Sequence, residues 1–315
     1  MPPVSINKPP PLQSGDTIAV IAPASAPRPS QDVAAGIDHL AALGYKVEQS
    51  RATYVPHGYL AGTDITRLDE LNGFLRRPDV KALFCVRGGY GVLRLLPHLD
   101  YEAARQHPKL LVGYSDITAL HCAMYQQAGW AGLSGPMVAV EWGDIDSASE
   151  HLFWGLVQGA SPQPLLGPGG EPLRPMRPGS AEGVLLGGNL TLLTRLIGTP
   201  YLPDLEGALL FIEEVGEQPY RLDGLLAHLK LAGLLGRLGG LIIGGLTDWE
   251  PDHDRPTLTP EQVLEDYLHD ASYPVATGLV YGHFPIKNTL PFGVRARLDV
   301  DEKTATLSIL ESVVG

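Results

Sequence analysis

Leu110-Leu111-Val112-Gly113-Tyr114-Ser115-Asp116-Ile117-Thr118 reads as a strand that stops at a glycine and turns directly into a helix. An apolar run with no polar alternation suits a parallel strand covered on both faces. The helix is expected from Asp116 to Gln127, with Gly129 just past its end. A serine at such an elbow presents its hydroxyl at the carboxyl edge of the sheet, beside the unpaired N–H groups of the helix start. The competing reading is an ordinary helix cap, a role serine favours. The elbow also carries Ile117 where a G-x-S-x-G motif has its second glycine.

Upstream, the same alternation recurs. Thr17 to Ala22 (TIAVIA), Lys46 to Gln49 and Ala82 to Val86 (ALFCV) read as strands; Gln31 to Leu43 and Asp64 to Leu75 read as helices. Strands alternating with helices over short connections predict an α/β layer with a parallel sheet. Downstream, residues 159–182 (GASPQPLLGPGGEPLRPMRPGSAE) lose all periodicity and become rich in proline and glycine, as a linker does. Three segments follow: 1–158 as an α/β domain, 159–182 as linker, and 183–315 as a second, mixed α+β domain. In the last, Asn189 is expected to cap a helix from Leu190. Ala208 to Ile212 (ALLFI) is a strand running into Glu213, and Thr259-Pro260-Glu261-Gln262 is a capping box with proline at the first helical position. The C-terminal ARLDVDEKTATLSIL alternates as an antiparallel hairpin does.

The 315 residues are 44% hydrophobic and 18% charged, globular proportions that suit two cores. A net charge of −12 and the absence of any lysine–arginine run argue against nucleic acid or an anionic membrane as partner. Two cysteines in apolar stretches, Cys85 and Cys122, make no disulfide framework and fit a reducing compartment. The N-terminal MPPVSINKPPPLQSGD has no apolar segment of signal type, so the expected location is cytoplasmic.

Four further features carry possible chemistry. Val86 to Gly91 (VRGGYG) follows an apolar strand, and its glycines let backbone N–H groups point at an anion. It is neither G-x-G-x-x-G nor followed by G-K-[ST], and a plain tight turn is the alternative. His283, in Val280-Tyr281-Gly282-His283-Phe284-Pro285, sits on a loop fixed by glycine and proline; His121, six residues beyond Ser115 on one helix, faces elsewhere. Glu213 shares the face of Leu209 and Phe211, and a carboxylate on an apolar face needs a partner such as a histidine. Glu214 faces the other way, Glu217 in the following turn is the rival, and an edge-strand pair of solvated acids is the plain alternative. An acidic loop, Asp248-Trp249-Glu250-Pro251-Asp252-His253-Asp254, raises a metal-dependent hydrolase, but follows no standard ligand spacing.

Together, GDTIAVIAPAS (Gly15 to Ser25), VRGGYG, GYSD (Gly113 to Asp116), GP (Gly135, Pro136), GVLLGGNLTLL (Gly183 to Leu193), FIEEVGEQPYRLD (Phe211 to Asp223) and GH (Gly282, His283) resemble the LD-carboxypeptidase family of serine peptidases. That family includes the microcin-immunity hydrolases. The resemblance spans nearly the whole chain. It implies a Rossmann-like N-terminal domain joined to a swivelling, β-rich barrel domain, usually in a homodimer. It places the nucleophile on Ser115, the acid on Glu213 and the base on His283. Oxyanion donors fall on the backbone of Asp116 and Gly89, and no metal or organic cofactor is needed. The implied substrates are muropeptide tetrapeptides that lose a terminal D-alanine; the rival is a peptidyl-nucleotide or acyl-adenylate. A carboxypeptidase must hold a free carboxylate, for which Arg87, Arg221 and Lys287 are candidates, with Gly88 and Tyr90 nearby in the same turn.

Overall fold

A computed structural model describes residues 6–160, 164–165, 172–250 and 256–315. Thirteen strands run in chain order: β1 Thr17–Ile21, β2 Lys46–Gln49, β3 Val80–Cys85, β4 Leu110–Val112, β5 Gly132–Ser134, β6 Arg174–Arg177, β7 Gly179–Asn189, β8 Leu209–Val215, β9 Gly240–Thr247, β10 Val275–Thr277, β11 Leu290–Phe292, β12 Val294–Val300 and β13 Ala305–Ile309. The helices are α1 Val33–Ala42, α2 Asp64–Leu75, α3 Tyr101–Gln106, α4 Thr118–Ala128, α5 Ser147–Val157, α6 Leu190–Arg195, α7 Pro219–Leu231 and α8 Pro260–Leu268.

The first sheet has the order β11-β5-β4-β3-β1-β2. Its five N-terminal strands are parallel and run 2-1-3-4-5, a doubly wound arrangement of the Rossmann-like kind. In such sheets the order reverses between β1 and β3, which opens a crevice at the carboxyl ends of those strands. All residues of β1 and β4 are buried, so their apolar runs have a direct cause in the helices on both faces. β11 adds an antiparallel edge, with Leu290 opposite Ser134 and Phe292 opposite Gly132. The C-terminal third thus returns to the first sheet through three residues that carry no strand signature of their own.

The second sheet runs β13-β12-β7-β8-β9-β10-β6. β7 to β10 are parallel and the flanks antiparallel. A bridge between Leu173, just before β6, and Ala305 of β13 brings the two edges together, so the sheet curls into the expected β-rich barrel. The C-terminal hairpin forms with Leu298 opposite Leu307. Asn189 caps α6 by accepting from Leu192 N–H, and the Thr259–Gln262 capping box opens α8 as read from the sequence.

His121 is buried on α4, its ring stacked on Phe292 at 5.3 Å and its Nε2 2.9 Å from Gly113 O. Burial pushes its pKa down to about 4. The unfolded imidazole takes up a proton near pH 6.5, whereas the folded one stays neutral. Stability from this residue is therefore complete above pH 6.5 and falls as pH drops towards 4, at up to about 1.4 kcal/mol per pH unit. Denaturant titrations at pH 7 and 4.5 should show His121→Gln less stable at neutral pH but with a shallower loss on acidification than the parent. Equal slopes for the two proteins would contradict this assignment.

Candidate active site

β4 ends at Val112, and after Gly113 the chain bends so sharply that Ser115 takes a φ of 64°. A left-handed conformation costs a non-glycine residue roughly 1–2 kcal/mol, and such strain gathers at sites where the surroundings enforce it. Gly113 makes the bend possible. A Cβ there would meet Cys85 Cβ at 3.0 Å and Ile117 Cγ1 at 3.1 Å, so the isoleucine occupies room that the glycine leaves. The Ser115 hydroxyl caps nothing, and the first turn runs as a 3₁₀ segment, Ser115–Ile117, before α4. The helix-cap reading of Ser115 is therefore not what the structure shows.

The turn after β3 packs directly on this elbow. A Cβ on Gly88 would lie 2.8 Å from Ser115 Cβ, 3.0 Å from its Oγ and 3.2 Å from Asp116 N. Gly89 has a φ of 107°, and a Cβ there would strike Ser25 Oγ at 2.5 Å. Side chains clamp the turn: Ser25 Oγ accepts from Tyr90 N–H at 3.1 Å, and the Asp116 carboxylate accepts from Val92 N–H at 2.9 Å. Arg67, buried on α2, donates to Gly91 O at 3.1 Å and also to Pro23 O. Burial pushes the Asp116 carboxyl up, which suits a clamp better than a solvated acid. The Asp116 N–H, in the first turn of a helix, has no helical acceptor, and it opens beside Gly88.

The imidazole comes from the other sheet. Glu213 lies at the carboxyl end of β8, wholly buried, and its Oε2 is 2.8 Å from His283 Nδ1. Its Oε1 accepts from Asn189 Nδ2 at 3.1 Å. A carboxylate only accepts, so Nδ1 carries the proton and Nε2 is left as the basic nitrogen. Gly282 has to be glycine: its φ is 119°, and a Cβ would stand 2.8 Å from Glu213 Oε2. Glu214 shares the Asn189 amide, accepting from its Nδ2 at 3.0 Å, and otherwise accepts from Thr191 N–H at 2.8 Å, with no bond to His283 among the described residues. Desolvation raises its pKa. Glu217 pairs with Arg221 at 3.4 Å.

Ser115, His283, Gly88, Gly89 and Arg87 line one cleft of about 660 Å³. The Ser115 hydroxyl and the imidazole share this cleft without a hydrogen bond between them among the described residues; Tyr114, next to the serine, packs its ring edge-on to His283 at 5.2 Å. Lys287 also reaches the cleft, but its Nζ donates to Glu141 Oε1 at 2.7 Å and to Tyr114 Oη at 2.8 Å. Two other sequence candidates lie elsewhere. Arg221 is exposed on α7, bound to Glu217 and Tyr220, and Tyr90 is exposed with its ring 5.5 Å from Tyr59. Of the acidic loop, Asp248 lines the cleft, and Pro251 to Asp254 lie outside the described residues. Sequence reading missed Tyr114, Glu141 and the second role of Asn189, because their partners are far away in the chain.

This arrangement matches known proteins along its length. The profile described as LD-carboxypeptidase N-terminal domain covers residues 18–135, and that described as LD-carboxypeptidase C-terminal domain covers 182–298. A probable murein peptide carboxypeptidase of Bacillus subtilis is 39% identical over 309 residues, 96% of this chain and 95% of that protein. The crystal structure of a muramoyltetrapeptide carboxypeptidase from Oxalobacter formigenes superposes with a TM-score of 0.82 at 31% identity, over 93% of this chain and 98% of that one. The structure of MccF with glutamyl sulfamoyl guanosine superposes with a TM-score of 0.86 at 26% identity, over 98% and 99%; the Escherichia coli microcin C7 self-immunity protein MccF is 28% identical over 94% of this chain and 96% of its own.

The fit of the glycine turn to the elbow can be tested with two substitutions. Gly88→Ala should destabilise the protein by about 1–3 kcal/mol, as overpacking does, because its new Cβ meets Ser115. Gly73→Ala, in α2 with open space around it, should be neutral or stabilising by up to about 1 kcal/mol. Thermal denaturation that ranks the two alike would contradict the close approach.

Proposed function

The chain belongs to the LD-carboxypeptidase family, and on that premise we propose that it is a serine carboxypeptidase that releases the terminal D-alanine of muropeptide tetrapeptides. The scissile bond is the amide between the L-centre of the diamino acid and D-alanine. The observation that carries this reading is the Glu213–His283 pair at 2.8 Å, opening onto the same cleft as the strained Ser115.

The chemistry follows from the groups present. Ser115 Oγ attacks the carbonyl carbon while His283 Nε2 accepts its proton, and Glu213 stabilises the imidazolium through Nδ1. The carbonyl oxygen, now negative, receives hydrogen bonds from the Asp116 and Gly89 N–H groups. Collapse breaks the C–N bond, His283 returns the proton to the leaving amine, and D-alanine departs. Water then attacks the acyl-enzyme with His283 as base, and the shortened peptide leaves with Ser115 restored. Every proton moves between protein, substrate and water. A cytoplasmic place in wall recycling and a homodimeric state complete the proposal.

The microcin-immunity type remains the rival, since MccF overlays over almost the whole chain. Higher identity to the carboxypeptidases, 39% against 28% in sequence and 31% against 26% among solved structures, favours the wall peptide.

Two assays decide between them: D-alanine release from a tetrapeptide, and cleavage of an aminoacyl sulfamoyl adenosine. The first should be the faster. Ser115→Ala should lower kcat at least 1,000-fold, and Glu213→Gln, which upsets the tautomer, roughly 10,000-fold. Chelators should leave the rate unchanged. Activity that survives Ser115→Ala would sink the proposal.

A further inference from the structure

Two guanidinium groups at the mouth of the cleft have no carboxylate to hold. Arg28 follows β1 and Arg87 follows β3, so both leave the first sheet where its strand order reverses. Most arginines of this acidic chain are paired with acids, among them Arg67, Arg76, Arg77, Arg94 and Arg105. Among the described residues neither Arg28 nor Arg87 has an acidic partner within ion-pair distance. Arg28 is exposed. Arg87 is partly buried; its Nη1 donates to Ala26 O at 3.0 Å, and its Nε is buried without a partner. Its Nη2 lies 3.4 Å from the position a Cβ on Gly89 would take. Burial, and then repulsion from Arg28, lower the pKa of Arg87, so the free protein holds two like charges close together. An anion between them removes that cost.

We propose that Arg28 and Arg87 form the subsite for the free terminal carboxylate of the substrate, which makes the enzyme an exopeptidase. This rests on the serine-peptidase reading above. One residue spans roughly 3.3–3.8 Å, so a carboxylate one residue beyond a carbonyl bound at Gly89 N–H falls within reach of the Arg87 fork. Guanidinium is suited to this task because its paired N–H groups match the two carboxylate oxygens. The remaining cations do not compete. Lys287 is already neutralised by Glu141, and Arg221 lies outside the cleft. The cleft also carries Asp144, Asp146 and Asp248, which repel a carboxylate and leave the arginine pair as its place. Arg28, Gln31 and Arg87 line both this cleft and a neighbouring cavity, so they stand between the two. A longer peptide would have to carry its uncharged backbone past two unpaired cations.

The test compares the tetrapeptide with the same peptide ending in D-alaninamide. Binding is measured by calorimetry on Ser115→Ala, and hydrolysis on the enzyme with its serine. The acid should bind about 100-fold more tightly than the amide, as two charge-assisted hydrogen-bonding groups would give. Arg28→Ala, an exposed and fold-tolerant change, and Arg87→Lys should each narrow that gap about tenfold, and the double variant should close it. With the serine in place, the same variants should raise KM for the acid far more than they lower kcat, and raise KM for the amide far less. Equal binding of acid and amide, binding of neither, or variants that weaken both alike would overturn the subsite. Hydrolysis by Ser115→Ala would instead overturn the triad, and the acid-over-amide preference would still report on the arginines.

Discussion

A carboxylate with no solvent exposure governs this structure. Glu213 lies near the end of a strand covered on both sides, and a buried charge without partners costs several kcal/mol. The fold meets that cost with two donors, the amide of Asn189 and the imidazole of His283. The second donor forces the rest: Gly282 must lack a side chain so that its loop can approach, and the imidazole must present its other nitrogen outward. Its neighbour Glu214 is nearly as buried, but backbone N–H groups of Thr191 and Val215 satisfy it, which makes it a structural acid. Adjacent glutamates thus have different tasks, set by what each side of β8 offers.

The serine and the imidazole stand on different sheets, and a few contacts fix their register. Thr118, one turn beyond Ser115, accepts at Oγ1 from Asn189 N–H at 3.0 Å, and Gly188 leaves room for it. The route from elbow to Glu213 is therefore three side chains long: Thr118, Asn189, Glu213. Ser134 and Tyr281 share a hydroxyl hydrogen bond at 2.6 Å, close to the His283 loop. Lys287 locks onto Glu141 and Tyr114, and Ser149 Oγ donates to Lys287 O at 3.0 Å. β11 then sews the C-terminal third to the edge of the first sheet. Most of these links are buried, so they hold the halves together by groups that would be left unsatisfied on separation.

Much of this was legible in the chain, and the exceptions have physical reasons. β1, β4 and most of β3 stood out because cover on both faces makes them continuously apolar. Alternation along β8 singled out Glu213, yet it could not foretell that Glu214 is buried too, since alternation carries no information when both faces are covered. The elbow was readable from Gly113 and Ser115, whereas the left-handed φ of the serine was not, as nothing in a serine announces it. β11 escaped notice because three residues with a proline carry no periodicity. Pairings such as Lys287 with Glu141 span 146 positions and are fixed by topology alone. Arg221 and Tyr90 sat beside recognisable motifs but face away, which chain proximity does not reveal. Arg28 drew no attention in a polar turn and gains meaning only from the company of Arg87.

The central claim is that Ser115 is a nucleophile primed by the His283–Glu213 pair across the sheets. The most direct measurement is mass mapping of the protein after reaction with a peptidyl phosphonate that traps serine nucleophiles. One adduct is expected, on Ser115, formed in step with loss of activity and lost when His283 is replaced. Inactivation with the adduct elsewhere, or an unmodified Ser115 in fully inhibited protein, would contradict it.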